Sequence, residues 1–170
     1  MADSLLERRR IEAQFAKAVF DVLSEETSRT RTVEILSKAV IRLATEAGKA
    51  FASRNPSEGV ASESPSDLLA YAEILALWQQ DGALTIDLKV KEKDRLEFDV
   101  TRCRYAEMYR ELGMADLGRV LSCNRDGAFC AGFDPEIRLT RTKTIMEGAG
   151  SCDFRYALVR DSSTKSITKA

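Results

Sequence analysis

The sequence predicts an α+β fold, with an antiparallel four-stranded sheet, N-terminal helices on one face and short helices between two hairpins. Two observations lead to this prediction. Early in the chain, apolar residues recur at the spacing of an α-helix, and in two later regions they alternate with polar residues as in half-buried strands. The order helices, hairpin, short helices, hairpin is typical of an α+β domain.

Two amphipathic helices are predicted to open the domain. The first covers residues 4–25, where charged residues such as Arg8 and Glu12 group on the polar side. Its expected core positions are Leu5, Ile11, Phe15, Val19, Val22 and Leu23. The second helix spans residues 33–51 and has a similar pattern.

A loop and a third helix follow. Residues 55–65 hold two of the three prolines together with Ser and Gly, which predicts a loop. Ser66 or Asp67 is expected to cap a helix over residues 68–80. The Asp-Gly pair that ends at Gly82 should stop this helix.

Period-two alternation predicts two hairpins in the second half of the chain. Their strands are expected at residues 84–90, 95–101, 136–145 and 152–159. The second turn should lie at residues 146–151, where Gly148 and Gly150 favour a tight reversal. Between the hairpins, short helices are predicted at residues 105–112, 116–121 and 127–131, with Asp126 as the cap of the last.

All 170 residues are predicted to form one domain, because a chain of this length can bury a single core. Within residues 1–170, the helical part is expected at 4–80, the α+β part at 83–160 and a polar tail at 161–170.

The charge and hydropathy of the chain argue against nucleic acid and membranes as partners. With 26 Lys and Arg against 27 Asp and Glu, the chain lacks the basic excess of a nucleic-acid-binding protein. No segment is apolar enough to span a membrane, and the first ten residues have no apolar signal region, so a cytoplasmic protein is expected. The expected partner is a small-molecule substrate, and assembly into a homo-oligomer stays open.

The absence of histidine excludes several kinds of active site. A Ser-His-Asp triad, a Cys-His dyad and a zinc site of the H-E-x-x-H type all need an imidazole. Catalysis in this protein must therefore use thiols, carboxylates, Arg, Lys, Tyr or backbone dipoles.

Three of the four cysteines lie where predicted elements begin or end, namely Cys103, Cys123 and Cys152. Cys103 would stand at a helix N-terminus between Arg102 and Arg104, an environment that should favour its thiolate and make it a candidate nucleophile. The alternative for each cysteine is a small apolar residue of the core.

A metal site built from thiols is a further alternative. Cys123, Cys130 and Cys152 with a carboxylate would give a soft ligand set, but their spacing matches no standard zinc pattern. We therefore predict no metal and no cofactor.

The phase of the last two strands predicts which side chains point inward. Cys152 shares its face with the apolar residues of its strand, and Arg141 and Lys143 continue the inward phase of the preceding strand. An inward cation needs an anion, either a carboxylate of the protein or one of the substrate. The alternative is that this strand end has left the core.

Asp126, which precedes the predicted helix over residues 127–131, is either the cap of that helix or a general base.

Three sequence blocks resemble the L-2-amino-thiazoline-4-carboxylic acid hydrolase family. They are V-T-R-C-R-Y-A-E-M-Y-R-E-L-G (100–113), L-G-R-V-L-S-C-N-R-D-G-A-F-C-A-G-F-D-P (117–135) and R-T-K-T-I-M-E-G-A-G-S-C-D-F-R-Y (141–156). The most specific part is R-T-x-T-x-x-x-G followed by C-D-F-R. The positions that correspond to the family's motifs are Cys103, Tyr105, Cys123, Asp126, Thr142, Gly148, Cys152 and Asp153. Cys130 is outside this pattern.

The resemblance implies hydrolysis of a cyclic amidine by opening of a 2-amino-thiazoline ring, with cleavage of a C–N bond. Its expected catalytic residues are Cys103, Cys123, Cys152, Asp126 and Asp153, and its expected substrate-binding residues are Tyr105, Arg141 and Thr142. A thiolate would attack the amidine carbon, or a carboxylate would activate water. Two alternatives stay open, a non-catalytic small-molecule sensor on the same scaffold and a metal-binding protein that uses the thiols.

Overall fold

The computed structural model describes residues 4–54 and 67–159, and the structural statements that follow concern these residues. The predicted loop over 55–65, the alternative cap Ser66 and the predicted tail over 161–170 lie outside them.

Two long helices open the chain, as predicted. Helix α1 spans Leu5–Glu26 and is capped by Ser4, whose hydroxyl accepts a hydrogen bond from the Glu7 N–H at 3.2 Å. Helix α2 spans Arg29–Arg54 and begins four residues earlier than predicted. The reason is local, because the Ser28 hydroxyl accepts the Arg31 N–H at 3.2 Å and satisfies a donor of the first turn.

The predicted third helix is divided into short pieces. Helix α3 covers Leu68–Tyr71, helix α4 covers Ile74–Trp78, and one turn of 3-10 helix follows at Gln80–Gly82. Asp67 caps α3 by accepting the Ala70 N–H at 2.9 Å, as one of the two predicted caps.

The four predicted strands form one antiparallel sheet, which confirms the fold class. Strands β1 to β4 have the spatial order β1-β2-β4-β3 and cover Leu84–Lys91, Arg95–Cys103, Ile137–Thr140 and Cys152–Leu158.

Strand β3 ends at Thr140, five residues before its predicted end. The reason is that the next backbone N–H groups, those of Thr142 and Lys143, donate to the Asp153 carboxylate instead of to a neighbouring strand. The predicted turn at residues 146–151 is also wrong in detail. A 3-10 turn at Ile145–Glu147 comes first, and Gly148 then reverses the chain with φ 96°.

Three helices connect the two strand pairs. Helix α5 covers Arg104–Glu111, α6 covers Ala115–Gly118 and α7 covers Asn124–Phe133. A single wide π turn at Arg119–Cys123 joins α6 to α7 without a break. The predicted capping role of Asp126 is therefore wrong, since this residue lies inside the first turn of α7.

One face of the sheet is apolar and covered. The rings of Phe98 and Phe154 stack there with centroids 4.8 Å apart, beneath α3, α4, α7 and the C-terminal end of α2. The other face carries charged pairs, among them Arg155 and Asp99, joined at 2.8 Å. This arrangement follows the predicted alternation of one buried and one wet face.

Glycines bring α2 and α7 into close contact. A Cβ atom at Gly48 would lie 2.1 Å from the Phe129 carbonyl oxygen, and one at Gly132 would lie 2.1 Å from the Thr45 carbonyl oxygen. Only glycine permits two helix backbones to approach this closely. The contact sets the position of α7 over the sheet.

A second core packs α1 against α2 and α5. The residues of α1 that are buried in it are Leu6, Ala13 and Phe20. The predicted core positions Ile11, Phe15 and Val22 are instead exposed. The helix has apolar residues on two sides, and spacing alone does not decide which side faces the core. No helix in the described part of the chain is long and apolar enough to cross a membrane.

Candidate active site

A cavity of about 440 Å³ lies between the covered face of the sheet and helices α1, α2, α4 and α7. Most of the polar side chains in its wall come from the ends of elements. Cys103 ends β2, Cys152 begins β4, and Asp126 stands in the first turn of α7. The sheet register explains part of this, because Cys152 pairs with Val100, three residues before Cys103.

Six of the predicted site residues line this cavity, namely Cys103, Cys123, Cys152, Asp126, Tyr105 and Arg141. The three cysteines come from different elements, and the structure brings them to one site. The structure thus supports their predicted convergence, with Asp126 in the same wall.

The three thiols have raised pKa values. Burial raises the pKa of Cys103 to about 11 and that of Cys123 to about 12, and it also raises the pKa of Cys152. For Cys103, the N–H groups of Ala106 and Tyr105 oppose this effect without cancelling it. The thiols are therefore protonated near neutral pH.

The predicted activation of Cys103 by its neighbouring arginines is not present. Arg102 donates from Nε to Glu107 at 2.8 Å, and Arg104 donates from Nη1 to the Asp81 carbonyl oxygen at 2.7 Å. Because both guanidinium groups are engaged elsewhere, burial determines the protonation of Cys103.

Asp126 and Arg141 form a largely buried ion pair in the cavity wall. Arg141 donates from Nη1 to the Asp126 carboxylate and from Nη2 to the Cys123 carbonyl oxygen at 3.2 Å. Its guanidinium also lies over the Phe154 ring, 4.9 Å from the centroid. Burial raises the pKa of Asp126, although the positive charge of Arg141 opposes the change. Arg141 thus points inward as its strand phase predicted, whereas Lys143 is exposed.

Arg9 and Arg125 add positive charge to the wall and were not predicted from the sequence. Both line the cavity, and both donate to the same Glu12 oxygen, at 2.6 and 2.8 Å. Arg9 is on α1 and Arg125 on α7, so no local pattern connects them. With Arg141, three guanidinium groups stand against the carboxylates of Asp126 and Glu12.

The Tyr105 hydroxyl is a buried polar group in the same cavity. It has no hydrogen-bond partner among the residues that the structure describes. Burial raises the pKa of Tyr105 to about 12, so the hydroxyl keeps its proton near neutral pH. A buried hydroxyl of this kind favours a ligand that accepts a hydrogen bond.

Thr142 and Asp153, two of the predicted site residues, do not line the cavity. Asp153 accepts hydrogen bonds from the Thr142 N–H at 3.0 Å, the Thr142 hydroxyl at 2.6 Å and the Lys143 N–H at 2.8 Å. Although burial raises the pKa of Asp153, these bonds outweigh it and lower the pKa. We therefore reassign both residues from direct catalysis and substrate binding to holding the segment that begins with Arg141.

Cys130 lies apart from the other thiols. It is buried, and its Sγ contacts the Ile137 carbonyl oxygen at 3.6 Å. Within residues 4–54 and 67–159, no three His, Cys, Asp or Glu side chains are grouped so that they would hold a metal ion.

Comparison with protein-family models matches residues 8–156 to the model described as L-2-amino-thiazoline-4-carboxylic acid hydrolase. No curated protein matches the sequence. The matched range begins in α1, one residue before Arg9, and ends in β4 at Tyr156. It therefore includes every polar residue of the cavity wall named above.

Proposed function

Because the chain belongs to the L-2-amino-thiazoline-4-carboxylic acid hydrolase family, we propose that its cavity hydrolyses a cyclic amidine that carries a carboxylate. The observation that carries this proposal is the composition of the cavity wall. A buried carboxylate, Asp126, stands there among three guanidinium groups and the Tyr105 hydroxyl. These charges complement a substrate that has an anionic and a cationic end.

In this proposal the two ends of the substrate bind to different groups. The substrate carboxylate accepts hydrogen bonds from the Tyr105 hydroxyl and from the N–H groups of Arg9 and Arg125 that do not bind Glu12, which are donors suited to an anion. The amidine N–H groups face Asp126. Arg141 binds the Oδ2 atom of Asp126, which leaves Oδ1 for the substrate and for water.

We propose that Asp126 activates a water molecule. The water oxygen forms a bond to the amidine carbon, and Asp126 accepts the proton that the water loses. The ring bond to that carbon then breaks, and the leaving atom takes the proton back from Asp126. Its raised pKa suits both steps, because a carboxyl group with a pKa nearer neutrality is a stronger base and still a competent acid.

A thiol route is the alternative. Here the sulfur of Cys103, Cys123 or Cys152 would form a bond to the amidine carbon, and the ring bond to that carbon would break as the leaving atom takes up the thiol proton. Water would then attack the same carbon, release the product and return a proton to the thiolate. A thiol with a pKa of about 11 is ionised in only about one molecule in 10,000 at pH 7, which disfavours this route in the resting protein.

Turnover of L-2-amino-thiazoline-4-carboxylate by the purified protein tests the proposal. We expect Asp126→Asn to lower kcat at least about 100-fold, the usual range for loss of a general base. The matched control is Asp116→Asn, because Asp116 is exposed on α6, outside the cavity, and pairs with Arg29. We expect it to keep kcat within about twofold.

Variants of the cysteines separate the two routes. Loss of turnover in a folded Cys103→Ser, Cys123→Ser or Cys152→Ser variant, with Cys130→Ser unchanged, would support the thiol route instead. Binding of the amidine without turnover in the wild-type protein would identify a sensor, and loss of activity on chelation would identify a metal enzyme.

The products decide which ring bond breaks. The predicted C–N cleavage leaves sulfur bonded to the former amidine carbon and releases no thiol. Cleavage of the C–S bond would release a thiol, which a colorimetric thiol assay with mass spectrometry detects.

A further inference from the structure

The cavity has more room than a bare 2-amino-thiazoline carboxylate fills. Its volume is about 440 Å³. Even at about 30 Å³ per atom, the volume of a water molecule in the liquid, the roughly nine non-hydrogen atoms of that substrate take up about 270 Å³. The remaining space is large enough for a further group of the ligand.

A second part of the wall is apolar and aromatic. Phe129 of α7 forms its centre, with ring centroids 5.8 Å from Phe51 of α2 and 6.2 Å from Trp78 of α4. Ala47 and Leu77 continue the same surface. Water gains few hydrogen bonds beside such side chains, so apolar groups displace it favourably.

We propose that the substrate is a carboxylate-bearing cyclic amidine with an apolar substituent, and that the wall around Phe129, Phe51 and Trp78 binds this substituent. The inference rests on the proposed function, since the charged wall is taken to orient the ring and its carboxylate. Helix α7 connects the two parts of the site, because Asp126 and Phe129 are three residues apart on one face.

Binding of non-hydrolysable ligands tests this substrate class. The probes are 2-aminothiazole-4-carboxylate, whose ring is aromatic, and two derivatives with a benzyl group, one on ring carbon 5 and one on the exocyclic nitrogen. Titration calorimetry with the full chain should show at least one derivative binding about tenfold more tightly than the unsubstituted ring.

Variants locate the substituent. Phe129→Ala and Trp78→Ala should remove most of that gain, so that each variant binds the benzyl derivative and the unsubstituted ring with affinities that differ by no more than about twofold. The control is Leu43→Ala, because Leu43 is an exposed apolar residue of α2 that is not part of the cavity wall. Thermal melts of each variant report whether it is folded.

The outcomes separate this inference from the proposed function. If the protein hydrolyses the unsubstituted substrate and neither benzyl derivative binds more tightly, the apolar subsite is wrong and the hydrolase proposal stands. If no probe binds and no substrate is turned over, both proposals are wrong. A gain that Phe129→Ala and Trp78→Ala leave intact would also contradict the subsite.

The outer face of α1 is apolar and exposed, and it leads to a second, independent inference. Ile11, Phe15 and Val22 are 53%, 73% and 59% exposed on this helix, and Ala18 is exposed between them. Their positions alternate by four, three and four residues, and Arg8 and Glu25 continue the alternation at the two ends. This is the spacing of the contact seam of a two-helix coiled coil.

When two copies of α1 run antiparallel, the side chains of one seam are complementary to those of the other. In one register, Ile11 lies opposite Val22, the large Phe15 opposite the small Ala18, and the basic Arg8 opposite the acidic Glu25. Each pair has both members on α1, as a twofold interface between identical chains requires. We infer that α1 pairs antiparallel with α1 of a second copy of this chain.

Sedimentation equilibrium of the full chain between about 1 and 200 μM tests this dimer. We expect association in that range, and we expect Phe15→Glu to make the protein monomeric. Leu43→Glu is the control, because it places the same charge on another exposed apolar position. A wild-type monomer at every concentration, or a dimer that Phe15→Glu leaves intact, would contradict the inference.

Charge exchange tests the direction of pairing. Arg8→Glu and Glu25→Arg should each weaken the dimer, and the double variant should restore it. Parallel helices would instead place Arg8 opposite Arg8, so the double variant would restore nothing. That result would overturn the antiparallel register.

Discussion

Asp126 and Arg141 are 15 positions apart in the chain and form one ion pair in the cavity wall. Arg141 lies just beyond β3, at a point where Asp153 holds the following two backbone N–H groups. Asp126 has a raised pKa because it is buried, and Arg141 limits the increase. At the scale of single residues, this pair sets the protonation state on which the proposed reaction depends.

Removal of Arg141 should shift the pH profile of the reaction. Arg141→Gln takes away the positive charge that opposes the effect of burial, so the pKa of Asp126 should rise further. If the ionised carboxylate is the base, the acidic limb of kcat/KM moves to higher pH. Measurement of kcat/KM from pH 4 to pH 9 checks the direction.

Arg119→Gln is the matched control, since Arg119 is exposed and pairs with Glu147 outside the cavity. Its acidic limb should coincide with that of the wild type. A limb that stays in place in Arg141→Gln would show that Asp126 is not the group that titrates.

The thiols offer a second prediction about single residues. Because burial raises the pKa of Cys103 to about 11 and that of Cys123 to about 12, both should react slowly with iodoacetamide at pH 7. Their rates should rise about tenfold per pH unit from pH 7 to pH 9. Peptide mass spectrometry after timed alkylation measures each site separately.

Alkylation in denaturant is the reference, since the unfolded thiols return to ordinary pKa values near 8.5. Fast labelling of Cys103 in the folded protein at pH 7, with a rate that no longer rises above pH 8, would reveal a thiolate. The thiol route would then become the favoured one.

At the scale of elements, the contact between α2 and α7 determines where Asp126 and Arg125 lie. Gly48→Ala places a Cβ atom 2.1 Å from a backbone oxygen of α7, which neither helix can avoid without moving. We expect it to lower the free energy of unfolding by about 1–3 kcal/mol, the usual cost of overpacking. Urea denaturation measures the loss.

Gly127→Ala is a matched control within α7. A Cβ atom there meets nothing within 4 Å, so the change should stabilise the helix by about 0.5–1 kcal/mol. If Gly48→Ala and Gly127→Ala changed the free energy of unfolding equally, the close approach of the two helices at Gly48 would not be a source of stability.

At the scale of the whole molecule, the two cores share side chains. Leu84, Cys103 and Ile145 pack against both the helical core and the core on the sheet. The cavity likewise takes residues from α1 and from the sheet. The prediction of one domain is consistent with this sharing, and its direct test is the cooperativity of unfolding.

We expect a single unfolding transition. Trp78, the only tryptophan, packs against the sheet core, and far-UV circular dichroism reports mainly on the helices. The urea midpoints from Trp78 fluorescence and from circular dichroism should therefore coincide. Two separated midpoints would show that the helical part and the sheet unfold as independent units.

The family resemblance and the α+β fold class predicted from the sequence are both confirmed. Strand alternation and helix periodicity are local properties, so the chain itself specifies four strands, two long helices and the inward phase of Cys152 and Arg141. Predictions from local patterns were wrong where hydrogen bonds between other parts of the chain decide where an element begins or ends. Strand β3 ends early because Asp153 takes the next two N–H groups, and Asp126 is no cap because the π turn continues into α7.

The sequence by itself determined the elements and the kinds of chemistry available, since the absence of histidine leaves thiols, carboxylates and guanidinium groups. Only the tertiary structure decided which of these groups meet. It brought Arg9 of α1 to Arg125 of α7, paired Arg141 with Asp126, and placed Thr142 and Asp153 outside the cavity. It also decided that the thiols are protonated and that Phe15 faces outward. The physical reason is that burial and the distances between charges depend on contacts between residues far apart in the chain, which no local spacing encodes.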